Sequence, residues 1–218
     1  MTDNERFSDA VLARLRDAVR AAEGDKRYYH TIGVEKKAAE LAAVFAPDRA
    51  RMLRAAALLH DITKEWSAEK QLAFCRQYGI DPGEACFAPK LFHARTAAEL
   101  VRQRFPECAD TALLSAIEHH TEGAPDMTLC DKLLYLADYI EDTRTFPDCV
   151  SLRSYYETEL AAARTDKERL TALDRVLLRS FDLTIRCLLD EHAYLAVKTV
   201  ASRNAILNAL KKEGENAV

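Results

Sequence analysis

Nowhere along this chain does an alternation of apolar and polar residues persist long enough to make a strand, whereas apolar residues at helical spacing recur from end to end. After Ser8, a suitable N-cap, the stretch from Ala10 through Leu12, Leu15 and Val19 puts its apolar side chains on one side. The rhythm repeats from Val34 through Ala38, Leu41, Ala42 and Phe45, and again from about Asp48 through Leu53, Ala56 and Ala57 to His60. The spacing predicts further helices near 67–78, 93–105, 109–120, 127–141, 150–163, 166–190 and 194–212. Thr165 with Glu168 forms a capping box at the start of the long late helix. Pro47, Pro82, Pro89, Pro106, Pro125 and Pro147 fall between these segments, where the missing N–H does no harm. No Gly/Ser-rich linker, repeat or low-complexity tract divides the chain. The expectation is one all-α domain over 1–218, a separate C-terminal bundle after 150 being the alternative. The tail Glu213-Gly214-Glu215-Asn216 is expected to fray.

Composition narrows the class. A chain of 218 residues can bury a substantial core, and with 49% hydrophobic and 30% charged residues it is an ordinary globular sequence rather than a disordered one. Its 35 acidic and 31 basic side chains leave a net charge of −4, which argues against a nucleic-acid partner. A small phosphorylated ligand needs only a local cluster of positive charge. Met1-Thr2-Asp3-Asn4-Glu5-Arg6 lacks the apolar stretch of a signal peptide, and no apolar run approaches the roughly 20 residues that span a bilayer. The six cysteines are scattered without a Cys-x-x-Cys pair, as expected of thiols in a reducing cytoplasm.

Chemistry gathers at a few positions. His60 follows Ala56 and Ala57 at i+4 and i+3, so its imidazole points to the core side of its helix, with Asp61 one step round. Lys64 is i+4 from His60 and i+3 from Asp61, which lets its ammonium lie over the same patch. His30 is expected to open a helix. Asp138, inside Lys132-Leu133-Leu134-Tyr135-Leu136-Ala137-Asp138, puts a carboxylate at or near an apolar helix face, where a metal or cation should accompany it. Each residue alone has a bland reading, a hydrogen-bonded core group. Together His30, His60, Asp61 and Asp138 offer two nitrogens and two carboxylates from three helices, a set suited to Fe, Mn, Co or Zn.

The order His … His-Asp … Asp resembles the signature of the HD superfamily of metal-dependent phosphohydrolases, and most closely its YqeK branch, symmetrical hydrolases of diadenosine tetraphosphate. Arg27-x-x-His30-Thr31-x-x-Val34 resembles the opening motif of that branch and Leu58-Leu59-His60-Asp61-Ile62-x-Lys64 its central one. His93-Ala94-x-x-Ala97-Ala98 is similar to the third motif, with Ala94 in place of the usual glycine. Ala116-Ile117-x-x-His120-Thr121-x-Gly123, Met127 and Ala137-Asp138-Tyr139-Ile140-Glu141-x-x-Arg144 match the remainder, with Asp142 where the branch often has proline. Ser202-Arg203-Asn204 resembles a further element. The resemblance is strong over about 27–144 and weak beyond.

It implies an HD-domain helical bundle over about 27–144 with additional C-terminal helices over about 150–212. It further implies one divalent transition metal, iron first and Mn or Co next, on His30, His60, Asp61 and Asp138. His93 and His120 would then face substrate phosphates, a second metal on this pair being the alternative because some HD enzymes use two. Asp61, Lys64, His93 and His120 are the catalytic set, and Arg27, Lys64, His93, His120, Thr121 and Arg144 the substrate-binding set. His119 points about 100° away from His120 around the helix and is taken as a surface or core side chain, and His192 is given no role. The implied substrate is a dinucleoside polyphosphate and the product ADP. The competing functions are an HD hydrolase of another nucleotide, deoxynucleotide or cyclic dinucleotide, and a non-catalytic nucleotide-binding sensor. The expected location is cytoplasmic, without membrane or nucleic acid, and a homodimer stays open.

Overall fold

Helix α4 (Ala50–Leu59) carries Arg51 and Arg54 on one side but is otherwise apolar, with Met52, Leu53 and every residue from Ala55 to Leu59 buried, which makes it a central element. The computed structural model describes residues 3–215, and among them there are eleven α-helices, four short 3₁₀ turns and no strand. The fold is all-α, a helical bundle followed by further C-terminal helices. Two compact units divide it, one comprising the residues up to Thr121 with Thr128–Thr143, the other Glu122–Met127 with the residues from Arg144 onward.

In the first unit α1 (Asp3–Arg6) and α2 (Asp9–Ala22) lead into α3 (Asp25–Phe45). Ser8 caps α2 as expected, its hydroxyl accepting from the Val11 N–H, and Leu12, Leu15 and Val19 form the buried stripe. Helix α4 packs against α2, α3, α7 (Thr111–His119) and α8 (Leu129–Ile140). The buried Glu35 carboxylate of α3 accepts from Arg16 Nε at 2.8 Å and Arg54 Nε at 3.0 Å, tying α2, α3 and α4 together. Asp110 caps α7, and a Thr128–Asp131 capping box starts α8. Between α4 and α7 lie α5 (Ala68–Tyr78) and α6 (Phe92–Arg104), joined by an apolar cluster of Cys75, Ala85 and Phe92. Asp142, the departure from proline, pairs with Lys36 at 3.0 Å and Lys37 at 2.9 Å, clipping the end of α8 to α3.

The second unit holds α9 (Pro147–Ala162), α10 (Asp166–Asp190) and α11 (Val197–Glu215), with α10 packed on both neighbours. The Thr165–Glu168 capping box forms as expected. A Cβ at Gly123, whose φ is +71°, would run into the Phe181 ring and Ser202.

Several boundaries differ from the sequence reading. His30 does not open its helix; α3 begins at Asp25, so His30 lies in its second turn. Pro147 is the first residue of α9 rather than part of a connector, a position that tolerates its missing N–H. The tail expected to fray is helical through Glu215, where Thr171 Oγ1 donates to Glu213 at 2.9 Å, and Asn216 lies outside the described residues. None of the six cysteines forms a disulfide, and no helix among the described residues is long and apolar enough to cross a membrane.

Candidate metal centre

The C-terminal end of the central helix delivers the reactive groups. Beyond Leu59 the chain winds on in tight turns, with Ile62 N–H donating to Leu59 O, Lys64 N–H to Asp61 O and Trp66 N–H to Thr63 O. Three-residue turns stack i and i+3 on one side, which brings Asp61 and Lys64 together. Their side chains lie 3.9 Å apart. A buried network fixes this turn on α6: Thr63 Oγ1 donates to His93 O at 3.0 Å, Gln71 Nε2 to Thr63 O at 2.7 Å and Thr96 Oγ1 to Gln71 Oε1 at 2.5 Å.

Three histidines share one device. His60, His93 and His120 each donate from Nδ1 to the carbonyl three residues earlier, Ala57, Lys90 and Ile117, at 2.6, 2.7 and 2.6 Å. That bond fixes the tautomer with Nε2 unprotonated and aimed inward. His30 reaches the same place from α3, its Nδ1 held 3.1 Å from Glu141 Oε1. The four Nε2 atoms converge on buried Asp61. Its Oδ2 lies 3.5 Å from His60 and 4.0 Å from His30, and its Oδ1 3.1 Å from His93 and 3.6 Å from His120. Asp138 of α8 lies 2.9 Å from His30 Nε2 and 3.8 Å from His60 Nε2. Arg27 NH1 touches Asp61 Oδ2 at 2.6 Å, Lys64 Nζ lies 3.0 Å from His93 Nε2, and Thr121 Oγ1 lies 3.2 Å from it.

These residues fit a cation. His60 Nε2 and Asp61 Oδ1 are buried without a hydrogen-bond partner among the described residues. An orphaned buried polar atom costs about 1–3 kcal/mol, which a bound cation relieves. His93 and His120 place their Nε2 atoms 2.9 Å apart although each ring already donates from Nδ1. Two neutral rings in that arrangement oppose lone pairs, so positive charge belongs against them, and the Lys64 ammonium supplies part of it. Burial, then the Lys64 ammonium, pushes His93 down to about 4, and burial likewise lowers His120, so neither ring carries that charge at neutral pH. Two groups of donor atoms have metal-ligating proximity, each within 4.8 Å: His30, His60 and Asp138, and His60, Asp61 and His120. Imidazole and carboxylate together suit Fe, Mn, Co or Zn.

The structure therefore brings Arg27, His30, His60, Asp61, Lys64, His93, His120, Thr121 and Asp138 into one neighbourhood. His119 turns elsewhere, lying 3.3 Å from Ser115 and 3.4 Å from Asp131. His192 follows the end of α10 with φ +51°. Arg144 belongs to the second unit, where its carbonyl accepts from Arg153 at 3.1 Å. Glu141 lies in a matched motif, yet the sequence reading assigned it no role; it is fully buried and bonds to His30. Its signal was Gly33, a glycine inside α3 one turn beyond His30, where a Cβ would collide with the Glu141 carboxylate.

Fold and site define an HD-domain protein, and residues 27–142 match the HD domain. Over 139 residues the chain is 38% identical to the symmetrical bis(5'-nucleosyl)-tetraphosphatase of Bacillus subtilis, covering 64% of this chain and 74% of that one. A protein of the same description from Halalkalibacterium halodurans is 31% identical over 183 residues, 84% of this chain and 90% of its own. A crystal structure from Clostridium acetobutylicum, described as a predicted HD superfamily hydrolase involved in NAD metabolism, matches with a TM-score of 0.77 and 32% identity, over 90% of this chain and 97% of that one. The chain belongs to the HD-domain family of symmetrical bis(5'-nucleosyl)-tetraphosphatases.

Proposed function

We propose that this chain hydrolyses dinucleoside polyphosphates, cutting diadenosine tetraphosphate symmetrically into two ADP. The observation that carries the reading is the convergence of four imidazole Nε2 atoms on the buried Asp61, with Asp138 beside two of them, His30 and His60, in a chain whose relatives bear that activity's name. His30, His60, Asp61 and Asp138 hold one divalent transition metal, iron in our reading, with Mn or Co as substitutes. When bound, the metal supplies Lewis acidity at a phosphoryl oxygen and lowers the pKa of water. The remaining work belongs to side chains. Lys64, His93 and His120 contact the phosphoryl oxygens, where charge builds up as the bridge breaks. Arg27, one of whose nitrogens neutralises Asp61, keeps further N–H groups for a phosphate, and Thr121 places its hydroxyl beside His93. Arg144 joins this set on the strength of the resemblance alone. A cytoplasmic location agrees with six cysteines outside disulfides.

A second metal on His93 and His120 is the competing arrangement, favoured by the way Asp61 turns one oxygen to each pair of histidines. The test of function is a substrate panel with Fe, Mn, Co and Mg, products separated by chromatography. ADP as sole product of diadenosine tetraphosphate is expected, with p-nitrophenyl phosphate and cyclic mononucleotides turned over poorly. AMP plus ATP would refute the register of cleavage while leaving the metal centre intact. Rapid hydrolysis of simple monoesters with dinucleotides untouched would favour a different nucleotide substrate, and tight ADP binding without turnover a sensor.

A further inference from the structure

Beside the metal centre a hollow of about 210 Å³ opens between the turn after α4 and the start of α6. Two of its lining residues, Lys64 and His93, belong to the centre; Trp66, Pro89 and Lys90 extend the lining away from it, and none of these three has a side chain with a role in the reading above. Larger hollows of about 340 and 430 Å³ lie within the second unit and touch no candidate residue. The smaller one combines an aromatic side chain with two lysines, the complement of a flat heterocycle attached to a phosphate.

We propose that it receives one nucleoside end of the substrate, the base stacking on Trp66 and a phosphate meeting Lys90. This rests on the reading that the chain acts on dinucleoside polyphosphates. Symmetrical cleavage leaves two phosphates on either side of the scissile bond, so each nucleoside must lie a short way from the groups that act on that bond. A hollow that starts at Lys64 and His93 and ends at an indole has that layout. It is too small for a whole dinucleotide, and one end is all the proposal asks it to hold. Its walls are fixed in advance. The Thr63–Gln71–Thr96 network ties the turn carrying Lys64 and Trp66 to α6, and the Phe74 ring packs edge-on to Trp66 at 5.3 Å. The exposed Lys70 ammonium lies 3.9 Å from the indole centroid, a cation–π contact that marks a face of the ring as reachable from solvent. Stacking on an aromatic side chain tolerates any base, so Trp66 contributes affinity more than base selectivity.

Trp66 is the single tryptophan of the chain, so indole emission reports on this hollow alone. ADP is titrated into the protein as purified, with calorimetry and emission followed together. The expected result is an emission change that saturates at the calorimetric Kd. Trp66→Ala should weaken ADP by about tenfold or more and raise KM for diadenosine tetraphosphate more than it lowers kcat. Trp66→Phe should restore most of both. Inorganic tripolyphosphate, which has no base, should bind wild type and Trp66→Ala alike, whereas Lys90→Ala should weaken both probes. Calorimetric ADP binding with unchanged emission, and the same Kd in Trp66→Ala, overturns the placement of the base and leaves the tetraphosphatase reading standing. No ADP binding together with no dinucleotide hydrolysis overturns both.

Discussion

The Glu141 carboxylate sits 3.1 Å from His30 Nδ1 and holds that ring with Nε2 turned to Asp138, 2.9 Å away. Glu141 is itself pinned by the Thr143 N–H and hydroxyl, both at 2.6 Å. Burial disfavours its charged form, but His30 and Thr143 outweigh burial and keep it ionised. A histidine that donates to an anionic acceptor is oriented and made more basic as a ligand. Glu141→Gln should therefore lower metal affinity by about 10–100-fold, measured by competition with a chelator. Gly33→Ala, which drives a methyl group into the same carboxylate, should give a similar loss. Wild-type affinity in both variants would reduce Glu141 to a structural group.

The ligand assignment has its own test. Protein purified without chelator should carry close to one transition metal per chain, and His60→Ala combined with Asp61→Ala should carry none. Removing two of four donors leaves too few for a stable site. Full occupancy in the double variant by elemental analysis, with folding verified by circular dichroism, would sink the assignment. Two metals per chain in the wild type would move His93 and His120 into the ligand set.

Much of this was legible in the sequence, for reasons that also explain the gaps. Helices announced themselves where an apolar stripe met a cap, as at Ser8 with Leu12, Leu15 and Val19. The first turns of α3 gave no such signal, because the stretch from Asp25 to Thr31 spends Arg27 and His30 on the site and Thr31 on Glu23 rather than on an apolar stripe. His60 could be placed in the core from its spacing to Ala56 and Ala57. Glu141 could not be linked to His30 without the fold, since 111 residues separate them. The shared Nδ1-to-carbonyl bond of three histidines is likewise a product of backbone geometry that no spacing rule encodes.

Stability should carry the mark of Glu23. Its carboxyl, 6% exposed and bonded to Thr31 Oγ1 at 2.9 Å, is raised by burial to about 7 from an ordinary 4.5. Because the folded-state pKa is the higher one, the folded chain keeps a proton that the unfolded chain loses. The stabilisation is full below about pH 4.5 and drains away as pH rises through about 7. The total is about 3–4 kcal/mol at most, taking each pKa unit as about 1.4 kcal/mol. Glu23→Gln keeps an acceptor for Thr31 without the titration. Its Tm advantage over wild type should thus grow between pH 5 and pH 8. A cation at the centre favours the charged carboxylate, so the difference should be larger after chelator treatment. Parallel Tm curves across that range would show that Glu23 does not titrate there.

Lys64 separates coordination from charge. Its ammonium lies 3.0 Å from His93 Nε2 and 3.9 Å from Asp61 Oδ1, close enough to act on whatever these groups hold, yet an ammonium donates hydrogen bonds and does not ligate a cation. Lys64→Ala should leave the metal content unchanged and lower kcat by about 10²-fold, in line with other preorganised electrostatic stabilisers. The same change removes the positive charge beside His93, one of the causes that depress it, so the His93 pKa should rise from its value near 4. The acid limb of the activity–pH profile should then move upward in Lys64→Ala, while Lys64→Arg, which keeps the charge with a different reach, should hold the limb in place even if kcat falls. A variant with normal kcat, KM and acid limb would show that Lys64 is a solvated side chain at the rim of the centre, and would pass the charge-stabilising role to Arg27 and His120.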